Sequence, residues 1–181
     1  RRLAFRGDDT DGTFAAFEFL IEGRDGGSSV LRCVHNFSLN GDDWEEQYEG
    51  IKLGDPMHLR KLAVYLANFP GRTSKFTLFL IGPAVPDDAK VWSTFASALS
   101  VDEITEGARV RLDVPGIAES EGVIDFLSAP NFIGVHTPNG ILMLLKGYMN
   151  MLGVQYHGFS GDEDEKKIET AYQSWLGTAF A

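Results

Sequence analysis

Between residues 13 and 36 apolar and polar positions alternate with period two. Phe17, Phe19 and Ile21 fall on one side against Glu18 and Glu22, and Leu31, Cys33 and His35 fall on one side against Arg32 and Asn36. The alternation predicts two strands, "TFAAFEFLIEG" and "SSVLRCVHNFSL", joined by a tight turn at Asp25-Gly26-Gly27, where glycine supplies the positive φ angles of a hairpin. "RRLAFR" reads as a strand before them. The period then lengthens. "DDWEEQYEG" predicts a short helix with Trp44, Tyr48 and Ile51 at helical spacing, and a long one starts at "GDPMHLRKLAVYLANFPG". Asp55 suits its N-cap, Pro56 its first position and Pro70-Gly71 its stop, with Leu59, Leu62, Ala63, Leu66 and Phe69 as the stripe expected to bury against a sheet.

The second half repeats this plan. "KFTLFLIG" predicts a strand, and "PDDAKVWSTFASALS" a helix with Trp92, Phe95, Ala96 and Leu99 on one face. Four more strands are predicted at "ARVRLDV", "EGVIDFL", "NFIGVHT" and "ILMLLKGY", with Pro138-Asn139-Gly140 turning one hairpin. The closing helix, "DEDEKKIETAYQSWLGTAF", carries Ile168, Ala171, Tyr172, Trp175, Leu176 and Ala179 on its inner stripe. The expected fold class is α+β: a curved antiparallel sheet gripped by a long C-terminal helix, with a second, smaller unit of the same kind. The joint is placed near residues 69–74, giving units 1–73 and 74–181.

Composition narrows the classes. With 181 residues, 44% of them hydrophobic and 12% aromatic, the chain can bury a sizeable core. Sixteen basic against 26 acidic residues give a net charge of −10, which repels phosphate backbones and anionic lipid, so neither nucleic acid nor membrane is expected as a partner. The longest apolar stretch, "GILMLLKGYMNMLG", is interrupted by Lys146 and Asn150 and falls short of the ~20 residues a bilayer needs. No signal peptide is visible, and one cysteine forms no internal disulfide, which points to a reducing cytosol. The opening "RRLAFRGDD" has no Met and runs straight into a strand, the expectation for a trimmed piece of a longer protein.

Candidate chemistry is sparse. Cys33 and His35 share a face, but positions i and i+2 on a strand are about 6–7 Å apart along the backbone, too far for a ready nucleophile and base pair. A buried thiol beside a hydrogen-bonded histidine is the plainer reading. His35, His58, His136 and His157 lie far apart in sequence without the short paired spacings of zinc sites, and no metal is expected. The acidic run at 161–165 lacks the alternating ligands of a calcium loop and places negative charge at a helix N-terminus. Met143, Met149 and Met151 among aromatics read either as an adaptable surface or as a core strand with irregular turns. No Gly-rich phosphate cradle is present, and no cofactor is expected.

The succession "RRLAFRGDD", "DGTFAAFEFLIEGRDGGSSVLRCVH", "GDDWEEQYEG" and "GDPMHLRKLAVYLANFPGR" resembles the C-terminal part of an SRPBCC-superfamily domain, the START-like helix-grip group that includes the heat-shock chaperone ATPase activator homologues. "EGVIDFLSAPNFIGVHTPNGIL" through "AYQSWLGTAF" is similar to the distal half of longer, mostly bacterial members. A complete domain of this group begins with a strand and two small helices, so the first unit is expected to lack its front. The second half either forms a helix-grip unit of its own, the preferred reading, or completes the first. An unpaired edge of the first sheet would invite another chain, which makes a homodimer an expected assembly.

The resemblance implies a cavity between sheet and helix for a small hydrophobic or amphipathic ligand. Its expected walls are Phe17, Phe19, Leu31, Cys33, His35, Trp44, Tyr48, Leu59, Leu62 and Leu66, mainly apolar with a few polar groups. Three functions stay open: a soluble binding protein; a cyclase or hydrolase with His35 and Tyr48 moving protons; and a chaperone-associated interaction module.

Overall fold

In the computed structural model of the chain, residues 1–38 and 44–180 are described. The chain divides into two compact units, Arg1–Ile51 and Lys52–Ala181. The joint read from the sequence, at 69–74, lies inside the second of these. Among the described residues no helix is long and apolar enough to cross a membrane.

The first unit holds an antiparallel sheet of β1 (Arg2–Asp8), β2 (Phe14–Gly23) and β3 (Ser29–Ser38), in that order. Gly26 and Gly27, with φ of 78° and 77°, turn β2 into β3, the left-handed geometry that glycine adopts without a Cβ penalty. The register sets Phe5, Phe17 and His35 in one row and Leu3, Phe19 and Cys33 in the next, so the alternating face forms as its spacing predicts. No residue of these three strands is buried.

Helix α1 (Trp44–Asn68) differs from expectation. Asp42 and Asp43, the start of the expected short helix, lie outside the described residues. From Trp44 onward the two expected helices are one, and Pro56 lies inside it rather than at a first turn. Proline there forfeits the hydrogen bond to the carbonyl four residues back, a cost the continuing helix absorbs. The buried stripe also turns. Met57, Val64 and Phe69 are buried, whereas Leu59 is 42% and Leu66 60% exposed. Apolar residues surround this helix, so two stripes compete in the sequence; the one that packs on the sheet starts at Met57.

The second unit is built on a six-stranded antiparallel sheet in the order β4 (Phe76–Ala84), β9 (Met151–Gly158), β8 (Gly140–Lys146), β7 (Phe132–His136), β6 (Ser120–Ser128) and β5 (Arg109–Leu112). One face packs against α2 (Asp88–Ala98) and the C-terminal helix α3 (Glu165–Thr178), through Phe95, Leu99, Ile168, Trp175 and Leu176. The other receives Met57 and Val64 over Ile141, Met143 and Leu145. The architecture is therefore α+β, with the closing helix held on an antiparallel sheet. Its stripe is the predicted one: Ile168, Ala171, Tyr172, Trp175 and Leu176 are all buried.

Two details shape the sheet. A register shift between Ile124 and Phe126 turns Phe126 to the α1 face, where its ring lies over Gly134; a Cβ there would meet it at 2.3 Å. Central β8 has every residue buried, which accounts for its unbroken apolar run.

Candidate functional site

Where α3 begins, the sheet and helix separate enough to leave a cavity of about 330 Å³. Leu112 at the end of β5, Ile117 in the following loop and Ile168 of α3 give it apolar walls, and Tyr156 of β9, Tyr172 of α3 and Glu163 give it a polar end. Tyr156 fits because position 140 is glycine: a Cβ would lie 2.6 Å from the phenol oxygen. The Tyr156 hydroxyl donates to Glu163 Oε1 at 2.7 Å, while Glu163 Oε2 is buried with no hydrogen-bond partner among the described residues. Burial raises the Glu163 carboxyl above its ordinary range, against the opposing effect of the Tyr156 bond. Burial and then the neighbouring carboxylate hold both phenols protonated.

The acidic run thus splits its tasks. Asp164 caps α3, accepting from the Lys167 N–H at 3.1 Å, and Glu165 adds charge to the first turn, as expected of a helix N-terminus. Glu163 instead turns inward to Tyr156. Sequence spacing could not show this, because Tyr156 and Glu163 meet only when β9 runs out into the α3 cap.

Of the residues expected from the sequence, Phe17, Phe19, Leu31, Cys33 and His35 share one face of the three-stranded sheet. On that face the rings of Phe17, Phe19 and His35 stack. The His35 ring lies 3.9 Å from Phe17 and 4.9 Å from Phe37, between centroids, and Cys33 sits in the adjacent row opposite Phe19. Tyr48, exposed, reaches Phe37 at 6.0 Å, and Trp44 is exposed. In the second unit Leu59 and Leu66 are exposed, and Leu62 lines a separate cavity with His58 and His157.

Comparison of the chain with protein-family models, with curated proteins and with solved structures finds no match in any of the three. The site therefore rests on its own geometry.

Two further arrangements belong to the description. His136 Nδ1 lies 2.9 and 2.8 Å from the two oxygens of Asp125, a carboxylate that orients the imidazole on the α1 face of the sheet. Among the described residues no group of three or more His, Cys, Asp or Glu side chains could hold a metal ion.

Proposed function

We propose that the chain is a binding protein for a small amphipathic molecule, taken up in the cavity between α3 and the sheet. One observation carries this reading: a cavity with Leu112, Ile117 and Ile168 as walls ends at a buried carboxyl oxygen, Glu163 Oε2, that lacks a hydrogen-bond partner among the described residues. A buried acceptor left unmade costs about 1–3 kcal/mol, so a ligand hydroxyl or amine that donates to it recovers that energy while its apolar body covers the walls. The grip of a C-terminal helix on an antiparallel sheet supports the helix-grip resemblance, and with it a place in the SRPBCC superfamily. The single cysteine supports a cytosolic compartment.

The reading is tested by thermal unfolding with small aromatic alcohols and amines, tyramine and phenethyl alcohol among them. A ligand at about 100 times its Kd adds ~2.7 kcal/mol to stability, a plain rise in Tm. Ile168→Trp, which fills the cavity, should abolish the rise, and Glu163→Gln should reduce it for amines first. Equal stabilisation in the Ile168→Trp protein would defeat the proposal.

A further inference from the structure

On the α1 side of the sheet a second cavity, of about 440 Å³, lies apart from the amphipathic site. Its apolar walls include Leu62, Tyr65 and Phe159, and its polar lining brings together His58, Lys61, Arg72 and His157 beside the hydroxyls of Thr73 and Ser74, with no carboxylate among the described lining residues. Within a chain of net charge −10 this is an unusual concentration.

The hydrogen-bond partners of the two cations are neutral. Lys61 Nζ donates to the Gln155 amide oxygen at 2.9 Å, and Arg72 Nη2 donates to the Phe159 carbonyl at 2.8 Å. Among the described residues neither has a carboxylate at ion-pairing distance, whereas Arg2, Arg6, Arg60 and Lys146 each do. His157 Nδ1 is 3.1 Å from Thr77 Oγ1, and its Nε2 is buried without a hydrogen-bond partner among the described residues. Two cations lacking a counter-charge, beside a buried unpartnered ring nitrogen, are what a bound anion would satisfy.

We propose that this cavity binds a small organic anion, a carboxylate or phosphate monoester on an apolar or aromatic body, with Lys61, Arg72 and His157 recognising the charge. The flat walls of Tyr65 and Phe159 take the body. Burial, then the charges of Lys61 and His58, push His157 down to about 4. Burial and Lys61 also lower His58, with Asp55 acting the other way. An anion among these groups favours protonated imidazole, so binding takes up protons and tightens as pH falls below neutrality. The groups facing His157 are Lys61 and His58 from α1 and Thr77 from β4, with Arg72 on the same cavity wall.

The test is calorimetric titration of the whole chain with benzoate, phenyl phosphate and inorganic phosphate, near pH 7 and near pH 5.5. Saturable binding of benzoate or phenyl phosphate is expected, tighter at the lower pH and at least tenfold weaker in Lys61→Gln and in Arg72→Gln proteins whose melting is unchanged. The tighter of the two organic anions assigns the charged group as carboxylate or phosphate. Glu163→Gln, in the other cavity, should leave these affinities unaltered, which separates this site from the amphipathic one. The proposal is overturned if neither organic anion binds at millimolar concentration, if both charge-removing variants bind as well as the parent, or if inorganic phosphate binds as tightly as phenyl phosphate.

Discussion

Two ionisable side chains tilt stability in opposite directions. His157 has a folded pKa of about 4, below its ordinary 6.5, so the unfolded chain holds more protons across that window. Its contribution is complete above pH ~6.5 and lost as pH falls toward 4, on the order of 2 kcal/mol after discounting for partial exposure. Glu163, raised by burial, works the other way: the folded state holds its proton longer, so stability falls as pH rises above the ordinary carboxyl range. Urea unfolding near pH 7 and near pH 5 should show a flatter acid limb in His157→Asn. It should also show Glu163→Gln more stable than the parent at neutral pH, with the gain vanishing toward the carboxyl range. Lys146 gives a third residue-scale case. Its side chain is 4% exposed and pairs with Asp88, which is 59% exposed, and it also donates to the Pro86 carbonyl at 3.3 Å. Asp88→Ala leaves a buried ammonium short of its charged partner and should cost about 1–3 kcal/mol. Lys146→Met should cost less, since the exposed Asp88 returns to water. The reverse order in denaturant midpoints would show that the pair is not what holds Lys146 inside.

At the scale of elements, α1 makes the sharpest test. Because the helix runs unbroken through Pro56, Pro56→Ala restores a backbone donor and relieves a clash, and should stabilise by about 1–3 kcal/mol in equilibrium unfolding. A loss of stability would instead favour a helix that starts at Asp55. The sequence pointed to that start because Asp-Pro is a strong N-terminal signal; the helical spacing of Trp44 and Tyr48 reads as a separate short helix, and nothing local shows that the two are one. Periodicity served well where one stripe dominates, as in α3, and failed in α1, where Leu59, Leu62 and Leu66 compete with Met57 and Val64. The strands of both sheets were legible from alternation or from unbroken apolar runs, except β9, whose Met- and Gly-containing stretch read equally as an adaptable surface. The sites were not, since each depends on how elements meet: Tyr156 reaches Glu163 only through the path of the chain leaving β9, and Lys61 and His58 on α1 meet His157 on β9 from far along the chain. Four scattered histidines gave no sign that two of them would line one cavity.

Across the whole molecule burial is uneven. None of β1, β2 or β3 has a buried residue, while every residue of β8 is buried between two paired neighbours. Local opening follows burial, so hydrogen exchange read by mass spectrometry should show the amides of β1–β3 exchanging well before those of β7–β9. Uniform protection across both sheets would contradict this ordering. The run in β8 matters again before any fold exists. Ile141 to Leu145 is apolar without a charge or proline, the composition that stacks with copies of itself when a nascent chain leaves it uncovered. Pro138 stands just before it and Lys146 directly after, one unable to extend a ladder and the other repelling its like. The buried ammonium that the native state must accommodate with Asp88 is thus, in the unfolded chain, a gatekeeper against aggregation.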